Sequence, residues 1–112
     1  MQPNSELLRG SLGTILLNLL AENGKMYGYE MIRKVKEASG SSIILKEGAL
    51  YPALHKLEAN GLVAVSIENI GNRNRKYYTL TKTGKSETKV KLWEIAGFIE
   101  QMQQLLKLKT AL

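Results

Sequence analysis

The sequence predicts a mainly α-helical fold with one small β-hairpin and a long closing helix. Three observations carry this reading. Apolar residues recur at helical spacing as far as Asn60, the pattern then changes to short β-rich runs on either side of Gly71-Asn72, and helical spacing returns after Thr81. At 112 residues the chain can hold one modest core, and its 44% hydrophobic and 23% charged residues are ordinary for a globular domain.

The first helix is expected in SELLRGSLGTILLNLLAENG, where Leu8, Leu12, Ile15, Leu16, Leu19 and Leu20 form a wide apolar stripe. Ser5 suits its N-cap and Gly24 its stop. In MYGYEMIRKVKEASG, the side chains of Met31, Ile32, Val35 and Ala38 define the inner face of a second helix that Gly40 ends. The run SSIILK is expected to form a short connecting strand. GALYPALHKLEANGL then gives a third helix, with Leu50, Leu54 and Leu57 on one side and Gly48, Tyr51, Pro52 and His55 on the other.

Pro52 is the anomaly of this segment. A proline deep inside a helix loses one backbone hydrogen bond and crowds the preceding turn, at roughly 3 kcal/mol. Here the orphaned acceptor would be the Gly48 carbonyl, so a local bend is expected. Gly48, Ala49 and Pro52 together would let another molecule approach the backbone closely. The plainer reading is that Pro52 packs against the second helix.

After Gly61, LVAVSIEN and KYYTL read as strands around the turn-rich IGNRNR, a hairpin with Arg73 and Arg75 at its tip and Lys76 just behind. Thr81 can cap the last helix, with Gly84 in its first turn. Farther on, Leu92, Ile95, Ile99, Met102 and Leu106 make a coiled-coil-like seam, widened by Phe98, Leu105, Leu108 and Leu112. A helix so apolar on two sides needs cover from a partner chain, so residues 82–112 read as a dimerisation helix attached to residues 1–81.

The net charge of +6 is concentrated: Leu62 to Lys91 carries seven Lys/Arg against Glu68 and Glu87, hence five of the six excess charges. Such a block suggests a polyanionic partner. With no cysteine and one histidine, disulfides, thiolate nucleophiles and His-cluster metal sites are excluded. No nucleophile–base pair or phosphate loop can be assembled, so neither catalysis nor a cofactor is expected. No apolar run approaches the ~20 residues of a membrane span and no signal peptide is visible, which points to a cytoplasmic protein with no membrane partner.

Three helices followed by a basic hairpin form a winged helix-turn-helix, in which the third helix enters the major groove and the wing reaches the backbone or minor groove. The DNA-contact candidates are then Arg73, Arg75 and Lys76 on the wing, Gly48, Ala49, Tyr51 and His55 on the third helix, Lys46 before it, and Tyr27 before the second helix. Tyr27 also suits an ordinary core aromatic, and His55 a surface histidine. Tyr77 and Tyr78 must face opposite ways in a strand; Tyr77 is assigned outward. The alternative is a winged-helix module for protein contacts, with only weak, non-specific nucleic-acid binding.

EGALYPALHKLEANGL, with MYGYEM before it and NRKYYTLTKTG after it, strongly resembles the PadR-like family of bacterial transcriptional regulators, from about Leu7 to Gly84. The resemblance implies a homodimeric repressor that leaves a palindromic operator on double-stranded DNA when a signal arrives. The short last helix is similar to that of the family's smaller branch, whose members often control transporters or respond to aromatic drugs. In some of them, paired tryptophans stack flat aromatic ligands at the dimer interface, which makes Trp93 an effector-binding candidate; it stands about two residues early, and core packing is the reading favoured for it. Two features depart from the family pattern. Lys46 replaces a polar capping residue, and GNRNRK alternates where the family's wing often runs in arginines, which implies a shallower salt dependence.

Overall fold

The computed structural model describes residues 6–108. The elements run α1 (Glu6–Asn23), β1 (Lys25–Tyr27), α2 (Gly28–Ala38), α3 (Glu47–Ala59), β2 (Val63–Ile70), β3 (Arg73–Leu80) and α4 (Lys82–Leu106). This is the mainly helical fold with a hairpin wing and a long last helix that the periodicity predicts.

The leucine stripe of α1 is the centre of the core. Leu8, Leu12, Leu16, Leu19 and Leu20 are buried and Ile15 is half-buried, while Leu17 joins them from outside the predicted set. Full burial of each such side chain is worth roughly 1.5–3 kcal/mol. Gly24 stops the helix in the left-handed region, at φ 81°, with its amide donating to the Leu20 carbonyl at 2.8 Å. Ser5, the expected N-cap, lies outside the described residues. Met31 and Val35 of α2, Leu50, Leu54 and Leu57 of α3, and Leu45 between them close over α1. Ala38, expected on the inner face of α2, is exposed.

The strand expected in SSIILK is absent: residues 43–46 are irregular. Ser39 holds the turn instead, accepting from the Ile43 amide at 3.0 Å through Oγ and from the Ser42 hydroxyl at 2.7 Å through its carbonyl. Leu45 is buried and Ile43 half-buried, so these apolar residues plug the core rather than pair. The third strand comes from β1. The sheet order is β1-β3-β2, both pairings antiparallel.

Alternation then sorts the sheet's side chains. Met26, Val63 and Tyr78 are buried on the inner face and Val65 is half-buried there. Lys25, Tyr27, Ser66, Glu68, Arg75 and Tyr77 share the outer one. Ile70 pairs with Arg73, leaving Gly71-Asn72 as a two-residue loop with Gly71 at φ 64°.

α3 continues as helix through Pro52 without interruption, so the bend expected there does not break it. The proline is exposed rather than packed on α2. It borders an open groove of about 540 Å³ between α1 and α3, beside Gly48, Ala49 and Ala53. On the solvent side of a helix, a missing amide leaves the Gly48 carbonyl reachable by water, which keeps the cost well below that of a deep interior site.

The root of α4 is fixed to the body. Thr81 Oγ1 accepts from the Gly84 amide at 2.9 Å and donates to the Gly61 carbonyl at 2.6 Å. The Thr81 amide donates to the Leu62 carbonyl at 3.1 Å. Gly84 sits so close to that carbonyl that a Cβ would overlap it. Buried Thr88 satisfies its hydroxyl on the Gly84 carbonyl at 2.7 Å. From there α4 runs along α1, and the seam is only partly covered. Ile95 and Met102 are half-buried, whereas Leu92, Ile99 and Leu106 are exposed, as are Phe98, Leu105 and Leu108. Leu112 lies outside the described residues. No helix among them is long and apolar enough to cross a membrane.

Candidate nucleic-acid interface

The outward face of α3 carries little bulk. Gly48, Pro52 and His55 are exposed and Ala49 is half-buried. Lys46 stands at the N-cap in extended backbone (φ −104°, ψ 156°), with no side-chain hydrogen bond to the helix, leaving its ammonium exposed. Tyr51 is half-buried and reaches α2: its hydroxyl occupies the space that a side chain at Gly28 would need. Gly28 therefore lets α3 and the start of α2 close on each other, a role the sequence reading missed. The signal for it was the small residue inside MYGYE.

The wing supplies the charge. Arg73 and Lys76 are exposed near its tip, and Arg75 is half-buried. Alternation sets Arg73 and Arg75 on the outer face of the sheet and Lys76 on the other, so the tip is cationic on both sides. Arg75 has a partner: its guanidinium lies 4.3 Å from the centroid of the Tyr27 ring. A guanidinium over an aromatic ring gains a cation–π attraction, and arginine also presents several N–H donors suited to a phosphate.

Tyr27 is half-buried, the last residue of β1 and the N-cap of α2, where its amide donates to Glu30 Oε1 at 3.0 Å. It meets Tyr77 edge to face, with ring centroids 5.6 Å apart. Tyr77 thus lies on the face away from the core, opposite to Tyr78, but it is only 9% exposed. Its outward orientation is as assigned, but Tyr27, edge to face, and Lys25, 4.9 Å above its ring, cover it and leave little of it accessible. Tyr77 is the floor of this face.

Lys25 and Glu68 were not singled out as site residues from the sequence, since they lie 43 positions apart and only the assembled sheet brings them together. The Lys25 ammonium and Glu68 carboxylate form an ion pair at 2.5 Å that spans β3 from β1 to β2. The hydrogen bond to Glu68 and that carboxylate's charge raise the Lys25 ammonium above the ordinary lysine range, against a smaller opposing effect of desolvation. On the inner face, the Tyr78 hydroxyl is buried without a hydrogen-bond partner, and burial pushes its phenol up, with Tyr51 and Glu58 adding to the shift.

Trp93 is 80% exposed, so the core packing favoured for it does not occur within the chain. At 100° per residue it stands about 140° round α4 from Thr88, which is buried on the body side. No cluster of His, Cys, Asp or Glu suited to a metal occurs among the described residues.

Residues 16–90 match the model of the Transcriptional regulator PadR-like family. The chain belongs to that family. A transcriptional regulator from Clostridium thermocellum is 31% identical, with a TM-score of 0.78 over 92% of this chain and 96% of that one. A PadR family transcriptional regulator from Eggerthella lenta is 29% identical, with a TM-score of 0.80 over 93% and 88%. A PadR family transcription regulator from Clostridium difficile R20291 is 33% identical, with a TM-score of 0.75 over 87% and 99%. No curated protein matches the sequence. The PadR-like winged helix and a DNA-binding transcriptional-regulator role are therefore established at the level of the family.

Proposed function

We propose that the protein is a homodimeric repressor that binds a palindromic operator and releases it in response to an effector. α3 enters the major groove, with Gly48, Ala49 and Pro52 permitting close approach and exposed His55 turned towards phosphates or base edges, while Tyr51, expected beside it, packs towards Gly28 of α2 instead. The wing lies on the adjacent backbone or minor groove through Arg73, Arg75 and Lys76. Lys46 and Tyr27 flank the groove as further phosphate contacts.

The observation that carries this reading is the combination, on one small body, of an exposed small-residue helix face and a wing cationic on both sides. The exposed apolar side chains of α4, Leu92, Phe98, Ile99, Leu105 and Leu106, support assembly through that helix, since a monomer rarely leaves so large an apolar patch in water. Two-fold assembly would space the half-sites one helical turn apart, about 34–36 Å. Exposure of Trp93 on the same helix supports an aromatic effector held between protomers.

Selection of bound sequences from random duplex DNA, followed by footprinting, tests the proposal. A symmetric footprint that survives physiological salt is expected. Weak binding without sequence preference would favour the protein-contact module instead. Tryptophan fluorescence that stays unchanged across a panel of aromatic cations would remove Trp93 from effector binding.

A further inference from the structure

The outer face of the sheet holds cations in two different states. Arg75 lies over the Tyr27 ring, 4.3 Å from its centroid, whereas Lys25 is taken up by Glu68. Glu68 is the sole acidic residue between Leu62 and Leu80, in the most basic stretch of the chain. It is paired across the ladder with Arg75, yet its carboxylate bonds Lys25 on the far strand, across Tyr77. Both members of the pair remain open to solvent, with side chains 48% and 36% exposed. An ion pair this exposed is easily exchanged for another anion.

We propose that Lys25 is a phosphate-binding residue held in reserve by Glu68, so that the carboxylate and a DNA phosphate compete for one ammonium. Glu68 occupies the place of a phosphate oxygen while the protein is free or loosely bound. Only close docking, with α3 seated in its groove, brings a phosphate near enough to displace it. Lys25 then adds a contact to the specific complex that non-specific complexes lack, and Glu68 acts as a filter against them. Tyr77 and Tyr27 form the aromatic floor that keeps Lys25 and Arg75 at fixed positions on the same face. This inference rests on the proposal that the wing faces DNA.

The test compares the full-length protein with its Glu68→Gln and Lys25→Met variants and the double variant. Each is titrated on a mixed-sequence duplex and on a selected operator duplex across a range of salt. Glu68→Gln, isosteric at a solvent-open position, should tighten binding to the mixed-sequence duplex and steepen its log–log salt dependence by about 0.9 per protomer. On the operator its slope should stay as in the wild type, so that discrimination falls. Lys25→Met should lower the operator slope by about 0.9 per protomer and leave the mixed-sequence slope unchanged. The double variant should lose the whole gain of Glu68→Gln.

A gain that persists without Lys25 would reduce Glu68 to a long-range repulsive charge and overturn the proposal. So would parallel losses of melting temperature and affinity in both single variants, the mark of a purely structural pair. Neutralising Arg73 and Lys76 serves as the control. If that leaves the slope unmoved, the wing does not face DNA and the underlying reading fails. If it lowers the slope while Glu68→Gln changes nothing, the competition alone is refuted.

Discussion

Replacing Arg73, Arg75 and Lys76 together by glutamine removes the cationic tip of the wing while keeping side-chain length and polarity. Arg73 and Lys76 are exposed and make no ion pair among the described residues, so the hairpin should survive, held by the eight paired positions from Val63–Leu80 to Ile70–Arg73. In a dimer the substitution removes up to six phosphate contacts. At about 0.9 each, the log–log dependence of affinity on salt should become shallower by up to about 5. A slope of that size corresponds to roughly a thousandfold change in affinity between 50 and 200 mM salt, so the variant should bind far more weakly at low salt and respond far less to added salt. Fluorescence anisotropy with a labelled operator duplex at several salt concentrations measures both quantities. Arg73→Gln and Lys76→Gln singly should each account for about 0.9 per protomer. A triple variant with the wild-type slope would show that the wing does not touch DNA, whatever the affinity.

Ile99→Asp should leave the protomer folded, because Ile99 is 52% exposed on its own chain, while a buried unpaired charge would break the assembly; sedimentation showing an intact dimer refutes the α4 interface. Gly84→Ala gains helix propensity but forces a Cβ into the Leu62 carbonyl, so a net loss of about 1–3 kcal/mol is expected in chemical denaturation. Tyr78→Phe removes a buried hydroxyl that has no partner and should be neutral or stabilising by up to about 1 kcal/mol. The same residue sets a pH dependence. Its pKa is raised on folding, so its contribution is complete below the unfolded value of about 10 and is lost as pH rises through the folded one. The wild type should therefore lose stability at alkaline pH more steeply than Tyr78→Phe, and identical pH profiles would contradict the burial of that phenol.

Long-period features were legible in the chain and short or cross-chain ones were not. The leucine stripes of α1 and α3 repeat over several turns, and the Gly71-Asn72 pair marks the hairpin by itself. β1 has three residues and no period to detect; its partner, β3, lies about fifty positions away, so only the assembled sheet reveals it. SSIILK misleads because an apolar β-rich run serves equally as a strand or as a loop that plugs a core, and the Ser39 turn decides for the loop. Of the candidate site, the wing cations and the bare face of α3 follow from residue type and spacing. The covering of Tyr77 does not, since Lys25 and Tyr27 reach it from a strand that the pattern hides. Gly28 shows in the sequence only as a small residue; its reason, a ring on α3, does not.

The junction of Thr81, Gly84 and Leu62 makes the last helix a lever with a short, stiff fulcrum. The same few atoms hold the end of α3, the start of β2 and the base of α4, so none of these can turn alone. The 25 residues of α4 extend about 37 Å, and a tilt of about 5° at the fulcrum moves the far end by about 3 Å. In the proposed dimer, a slight shift between two such arms would swing both α3 helices out of register with a duplex whose geometry is fixed. On that proposal, a molecule wedged between the arms would need no contact with DNA to prise the protein off it.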